Sequence, residues 1–193
     1  MNDMIKKTIQ AHVSCAEAVL NDTQILKAIR LSVEKILSVL NSGGKILWCG
    51  NGGSAADCQH LSAELVARLN LNRKALASLA LTTDTSFLTA WINDTNSADE
   101  IFSRQVEALA APGDCLICIT TSGVSSNICL AADAAKKAGC SCIALTGRDG
   151  GQLADRADIR MIVPSDSTQR IQEMHILIGH ILCEYVEKAT ASS

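Results

Sequence analysis

Apolar residues recur at spacings of three and four through residues 4–40. Ile5, Ile9, Val13, Ala16 and Leu20 form one series; Ile25, Ile29, Val33, Ile36 and Val39–Leu40 form a second after a break at Asn21-Asp22-Thr23. That period gives each of two successive helices one apolar face, and Asn41-Ser42-Gly43-Gly44 stops the second. From Lys45 the pattern changes. Short continuous apolar runs at Lys45–Cys49, Leu76–Leu81, Cys115–Thr120, Cys142–Thr146 and Ile159–Val163 read as strands. Helical stretches lie between and after them: from an N-cap at Ser54, with Asp57 in the first turn; Thr85–Trp91; Asp99–Leu109; from Ser125/Ser126 to Ala138, ended by Gly139; and Thr168–Lys188. Runs that do not alternate suit strands buried on both faces, and strand–helix alternation implies a parallel sheet. The pattern predicts a three-layer α/β/α fold with a five-stranded parallel sheet and N-terminal helices. It fits one domain over residues 1–193, with 1–42 as an N-terminal helical extension.

Composition narrows the function. Of 193 residues 48% are apolar but only 3% aromatic, so the core must be built from Ala, Leu, Ile, Val and Cys. A balance of 17 basic to 20 acidic residues, net −3, argues against direct nucleic-acid binding, which needs a basic face. A single phosphate held by backbone amides stays open. No run of about 18 apolar residues predicts a membrane span, and MNDMIKKTIQ lacks the apolar stretch of a secretion signal; the expected location is cytoplasmic. Nine cysteines, an odd number, do not suggest a disulfide framework. Cys115 and Cys118 match a CxxC spacing, but in a strand residues three apart face opposite ways. Cys58, between Asp57 and Gln59, is the one cysteine outside an evident apolar run that bears watching.

Two strand-to-helix loops carry the candidate chemistry. Cys49-Gly50-Asn51-Gly52-Gly53-Ser54 and Thr120-Thr121-Ser122-Gly123-Val124-Ser125 each combine glycine and hydroxyls with a helix N-terminus. Such a place favours an anion, and neutral donors suit a sugar phosphate. Neither loop has the Walker A ending or the dinucleotide G-x-G-x-x-G pattern with its distal acid.

His60 and Glu64 are four apart and share a helix face. The last helix, RIQEMHILIGHILCEYVEK, is mostly apolar yet carries Gln172, His175 and His180; buried polar groups need partners. His175 and His180 differ by about 140° around the helix, so they cannot share one site. Gln172 and His180 are about 12 Å apart along the axis, so they either straddle one ligand or serve different subunits. Histidine, carboxylate and amide oxygens suit zinc or a similar divalent ion; the same His and Glu equally suit general acid–base catalysis.

Taken together, GNGGSAADCQHLSAELVAR, ITTSGVSSN, ALTGRDGG and RIQEMHILIGHILCE, in this order, resemble the phosphoheptose isomerases, a family of the sugar-isomerase (SIS) fold. The resemblance runs to about Lys188. It implies conversion of D-sedoheptulose 7-phosphate to D-glycero-D-manno-heptose 7-phosphate for lipopolysaccharide heptose, by a homotetramer with interfacial active sites. It implies that Asn51, Gly52, Gly53, Ser54, Asn93, Asp94, Glu64 and Gln172 contact substrate, and that Thr120, Thr121, Ser122 and Ser125 hold the phosphate. It further implies a zinc ion on His60, Glu64, Gln172 and His180, with Glu64 and His180 as the catalytic acid–base pair. Val124 departs from the family's usual asparagine there. A rival branch of the fold is non-catalytic and binds the bacterial replication initiator; it lacks residues matching Glu64 and His180, and this chain has both. A sugar-phosphate-sensing regulator would bring a DNA-binding domain, for which the chain has no room.

Overall fold

A computed structural model describes residues 1–191. In chain order the elements are α1 (Asn2–Asn21), α2 (Thr23–Asn41), β1 (Ile46–Gly50), α3 (Gly53–Val66), β2 (Ser78–Ala80), α4 (Thr85–Thr95) and α5 (Ser103–Leu109). They continue as β3 (Cys115–Ile119), α6 (Ser126–Lys137), β4 (Ser141–Gly147), α7 (Gly151–Ala154), β5 (Ile159–Val163) and α8 (Thr168–Ala191). The strands form one parallel sheet in the order β2-β1-β3-β4-β5.

Side chains alternate across the strands and build two apolar layers. Ile46, Trp48, Cys115, Ile117, Ile119, Ile143 and Leu145 face α1, α2, α3 and α8. Leu47, Cys49, Leu116, Cys118, Cys142 and Ala144 face α5, α6 and α7. This is the predicted three-layer arrangement. The break between the first two helices is a cap: Asp22 Oδ1 accepts from the amides of Gln24 (2.8 Å) and Ile25 (3.1 Å). Gly139, at φ +76°, closes the end of α6 as expected.

Several boundaries differ from the sequence reading. Helix α3 is capped by Gly52, at φ 56°, not by Ser54, which is buried in the first turn. Helix α5 starts at Ser103, because Ser97 Oγ accepts the Asp99 amide and Asp99 bonds to Ser126, holding this segment in turns. Strand β2 shrinks to Ser78–Ala80 at the sheet edge, where Leu79 is 40% exposed. The four-residue α7 has no counterpart in the sequence pattern. No helix among the described residues is long and apolar enough to cross a membrane.

All nine cysteines are free and buried. Cys115 and Cys118 fall in opposite layers, as the strand reading requires. Cys58 is fully buried on the inner side of α3, and burial pushes its thiol up. Burial likewise raises the Cys115 and Cys183 thiols to about 12.

Candidate active site

β1 lies between β2 and β3, so the chain leaves two neighbouring strands, β1 and β3, toward opposite edges of the sheet. The crevice beyond such a switch point is where open α/β sheets bind ligands. Both glycine–hydroxyl loops open into it, and a reciprocal amide pair joins them. Asn51 Nδ2 donates to Asn127 Oδ1 at 2.9 Å, and Asn127 Nδ2 donates to Asn51 Oδ1 at 3.0 Å. Asn127, in the first turn of α6, escapes sequence reasoning: its partner is 76 residues away, and only its place at the end of ITTSGVSSN hints at a role.

In the second loop the Thr120 amide continues the sheet by donating to Leu145 O (3.0 Å), while Thr120 Oγ1 and Ser125 Oγ are 3.3 Å apart. Ser122 Oγ accepts the Val124 amide at 3.4 Å. Ser125 is the N-cap of α6, so the loop delivers hydroxyls and backbone amides at the positive end of that helix. Gly123 O is in turn held by the Leu153 amide of α7 (2.9 Å). The Val124 side chain is 56% exposed, leaving the backbone cradle free of it.

The acid–base candidates come from the α3–α8 contact. His60 Nε2 and His180 Nε2 are 2.8 Å apart, with the rings edge to face at 85°. Glu64 Oε1 lies 3.4 Å from His60 Nε2. One ligand atom from each of His60, Glu64 and His180 falls within 4.8 Å of the others. His175 points the other way, as the helical angle predicts. It is fully buried, its Nε2 donates to Thr146 O (3.0 Å), and its Nδ1 has no partner. Burial lowers its pKa to about 4 against the opposing effect of the Thr146 bond, so the ring is neutral.

Gln172 packs over the start of α3. A Cβ on Gly53 would sit 2.7 Å from Gln172 Nε2, so the amide occupies space that a larger residue would make it leave. Asn93 and Asp94 sit exposed at the end of α4, bonded to each other (3.1 Å) and, among the described residues, to neither loop. Beyond α3, Arg73 donates to the carbonyls of Glu64 (2.7 Å) and Leu65 (2.9 Å). Glu187 of α8 pairs with Arg73 and accepts the amides of Leu69, Asn70 and Leu71. Burial pushes the Glu187 carboxyl up, but those amides and Arg73 hold it below its ordinary range.

The donor set fits a divalent cation. Two imidazole nitrogens in contact need a shared proton or a cation, and nitrogen and carboxylate donors at this spacing suit tetrahedral zinc. Asp57, one turn earlier on α3, has a buried Oδ2 without a hydrogen-bond partner. Burial raises its carboxyl, opposed by His60 and His180.

Comparison with known proteins identifies the fold and the family. A family model for the SIS domain matches residues 11–147. A phosphoheptose isomerase of Paramagnetospirillum magneticum is 59% identical over 159 residues, covering 82% of each chain. One from Helicobacter pylori (strain Shi470) is 48% identical over 192 residues, covering 100% of this chain and 98% of the relative. The chain belongs to the phosphoheptose isomerase family. The solved structure of the Neisseria gonorrhoeae phosphoheptose isomerase superimposes with a TM-score of 0.89 at 39% identity, covering 97% of this chain and 98% of that one. The SIS match ends before Gln172 and His180, but the isomerase relationship runs through them.

Proposed function

We propose that this isomerase converts D-sedoheptulose 7-phosphate to D-glycero-D-manno-heptose 7-phosphate, the entry to lipopolysaccharide heptose. The observation that carries the reading is the meeting of Glu64 and His180 across the α3–α8 contact, in a fold whose switch-point loops suit a sugar phosphate. Thr120, Thr121, Ser122 and Ser125 hold the phosphate with hydroxyls and helix-start amides. Asn51, Gly52, Gly53, Ser54, Glu64, Asn93, Asp94 and Gln172 contact the sugar.

The reaction moves a proton between C1 and C2 through an enediol. One of Glu64 and His180 takes the carbon-bound proton and returns it to the neighbouring carbon. The other exchanges the proton between the two oxygens, through a Glu64 carboxylate oxygen or a His180 ring nitrogen that carries no metal. His60, Glu64, Gln172 and His180 would hold a zinc ion. When bound, zinc polarises the carbonyl and stabilises negative charge on oxygen.

A homotetramer with interfacial sites is supported by α4, which buries none of its residues, and by the exposed apolar stripe Ile5, Ile9 and Val13 on α1. The whole chain acts as one SIS unit in the cytoplasm, with 1–42 as a helical extension. A coupled assay with sedoheptulose 7-phosphate in D2O, with and without Zn2+, tests the reading. Aldose formation is expected, with deuterium on C2 to the extent that the abstracted proton exchanges with solvent at the enediol stage. No turnover, with capture of the replication initiator instead, overturns it.

A further inference from the structure

The contact that brings His60 to His180 is set by a position without a side chain. Gly179 immediately precedes His180 on α8, and it faces Leu61, which immediately follows His60 on α3. A Cβ at residue 179 would lie 2.7 Å from Leu61 Cδ2 and 3.1 Å from Leu61 Cγ, and closer still to Cδ1. Carbon atoms pack at about 3.5–4.0 Å. Leu61 has no room to yield: it is 0% exposed in the layer that also holds Leu65, Ile178, Leu182 and Cys183. The Cys183 thiol donates to Leu61 O at 3.7 Å, tying the same turn down from the other side. A side chain at 179 therefore displaces α8 from α3 by about 1 Å. Catalytic and metal constellations tolerate about 0.5 Å. Helix formation gives no reason for this glycine, since it lies inside the 24-residue α8, where alanine is the better helix former.

We infer that Gly179 is a positioning residue: its close approach to Leu61 sets the α3–α8 separation at which His60, Glu64 and His180 form one site. The inference rests on the isomerase reading of that cluster. It makes a prediction with an unusual sign, because Gly179→Ala improves the helix while spoiling the site.

The test is a titration of the metal-free chain with Co2+ alone, alongside turnover of sedoheptulose 7-phosphate. Gly179→Ala is expected to weaken Co2+ binding about 10–100-fold, as loss of a ligand-orienting contact does. It should lower kcat/KM about 10²-fold, as a displacement of about 1 Å does. The loss should fall more on kcat than on KM, because the phosphate-holding loop after β3 is untouched. Adding Leu61→Ala removes Cγ and both Cδ atoms. The double variant should recover most of the Co2+ affinity and turnover, although Leu61→Ala by itself leaves a cavity. A purely structural role would make the double variant worse than either single one. The inference fails if Gly179→Ala binds Co2+ and turns over within about twofold of the parent, or if the folded double variant is no better than Gly179→Ala. Should Gly179→Ala not fold alone, the double variant decides: binding Co2+ like the parent supports the inference, and folding without binding overturns it. A parent chain that turns over no sedoheptulose 7-phosphate would overturn the isomerase reading instead, and the Co2+ series would still decide the role of Gly179.

Discussion

The two halves of the site are built on different principles. The loops after β1 and β3 hold their chemistry in the backbone. Glycines, hydroxyls and helix starts sit within six residues of each other, at places any parallel α/β sheet presents to a ligand. The α3–α8 cluster holds its chemistry in side chains from positions 120 residues apart, and it exists only if two helices pack at the right distance. On the proposed reading, the first kind of site tolerates exchange of individual side chains, because several donors share one anion. The second does not, because each ring and carboxylate has its own role. Binding should therefore degrade gradually in the loops, and chemistry should fail abruptly at the helices.

The sharpest test of that contrast is Glu64→Gln or His180→Gln. Each is expected to lower kcat by about 10²–10⁴ while circular dichroism stays unchanged; near-normal turnover would remove the residue from the chemistry. The next effect separates the cluster from its support. His175 is buried neutral, with a pKa of about 4 against 6.5 for a free imidazole. The unfolded chain binds the extra proton first as pH falls. The stability this group contributes is therefore complete above about pH 6.5 and lost progressively toward pH 4, a drop of about 3 kcal/mol. Urea unfolding of His175→Gln across that range should lack this part of the pH dependence. A smaller effect is expected in the loops. Asn127→Ala leaves Asn51 without its reciprocal partner and should raise KM about tenfold with kcat nearly constant, and an equal loss in kcat would place the amide pair in the chemistry instead. Smallest is Ser122→Ala, with one of several hydroxyls gone. KM should rise a few-fold, on the order of one hydrogen bond, more than kcat falls; an unchanged KM would exclude Ser122 from the phosphate site.

The same division governs how much of the molecule is legible in its sequence. The interior strands are plain because Ile46–Gly50 and Cys115–Ile119 are buried at every position, which forces unbroken apolar runs. The pattern overextends β2 because an edge strand is only partly buried, and it misses α7 because four residues are too few to show a period. His60 and Glu64 are visible as a pair, since helix geometry is local. Their meeting with His180 follows from no spacing in the chain. The family resemblance supplies it, and packing around Gly179 accounts for it physically. The Asn51–Asn127 bond has the same non-local origin and no local signature.

The burial of the thiols has a kinetic consequence. A sulfur reacts as its thiolate, and these thiols are sealed in the layers, several with raised pKa values. A thiol-modifying reagent can therefore consume them only when the layers part. Cys49 and Cys118, whose sulfurs are 3.5 Å apart beneath the two loops, would report the opening of the sheet itself. Cys15, on the N-terminal helix, would report the release of α1. Following modification cysteine by cysteine would thus give a map of local opening rates, with the chain's own sulfurs as clocks.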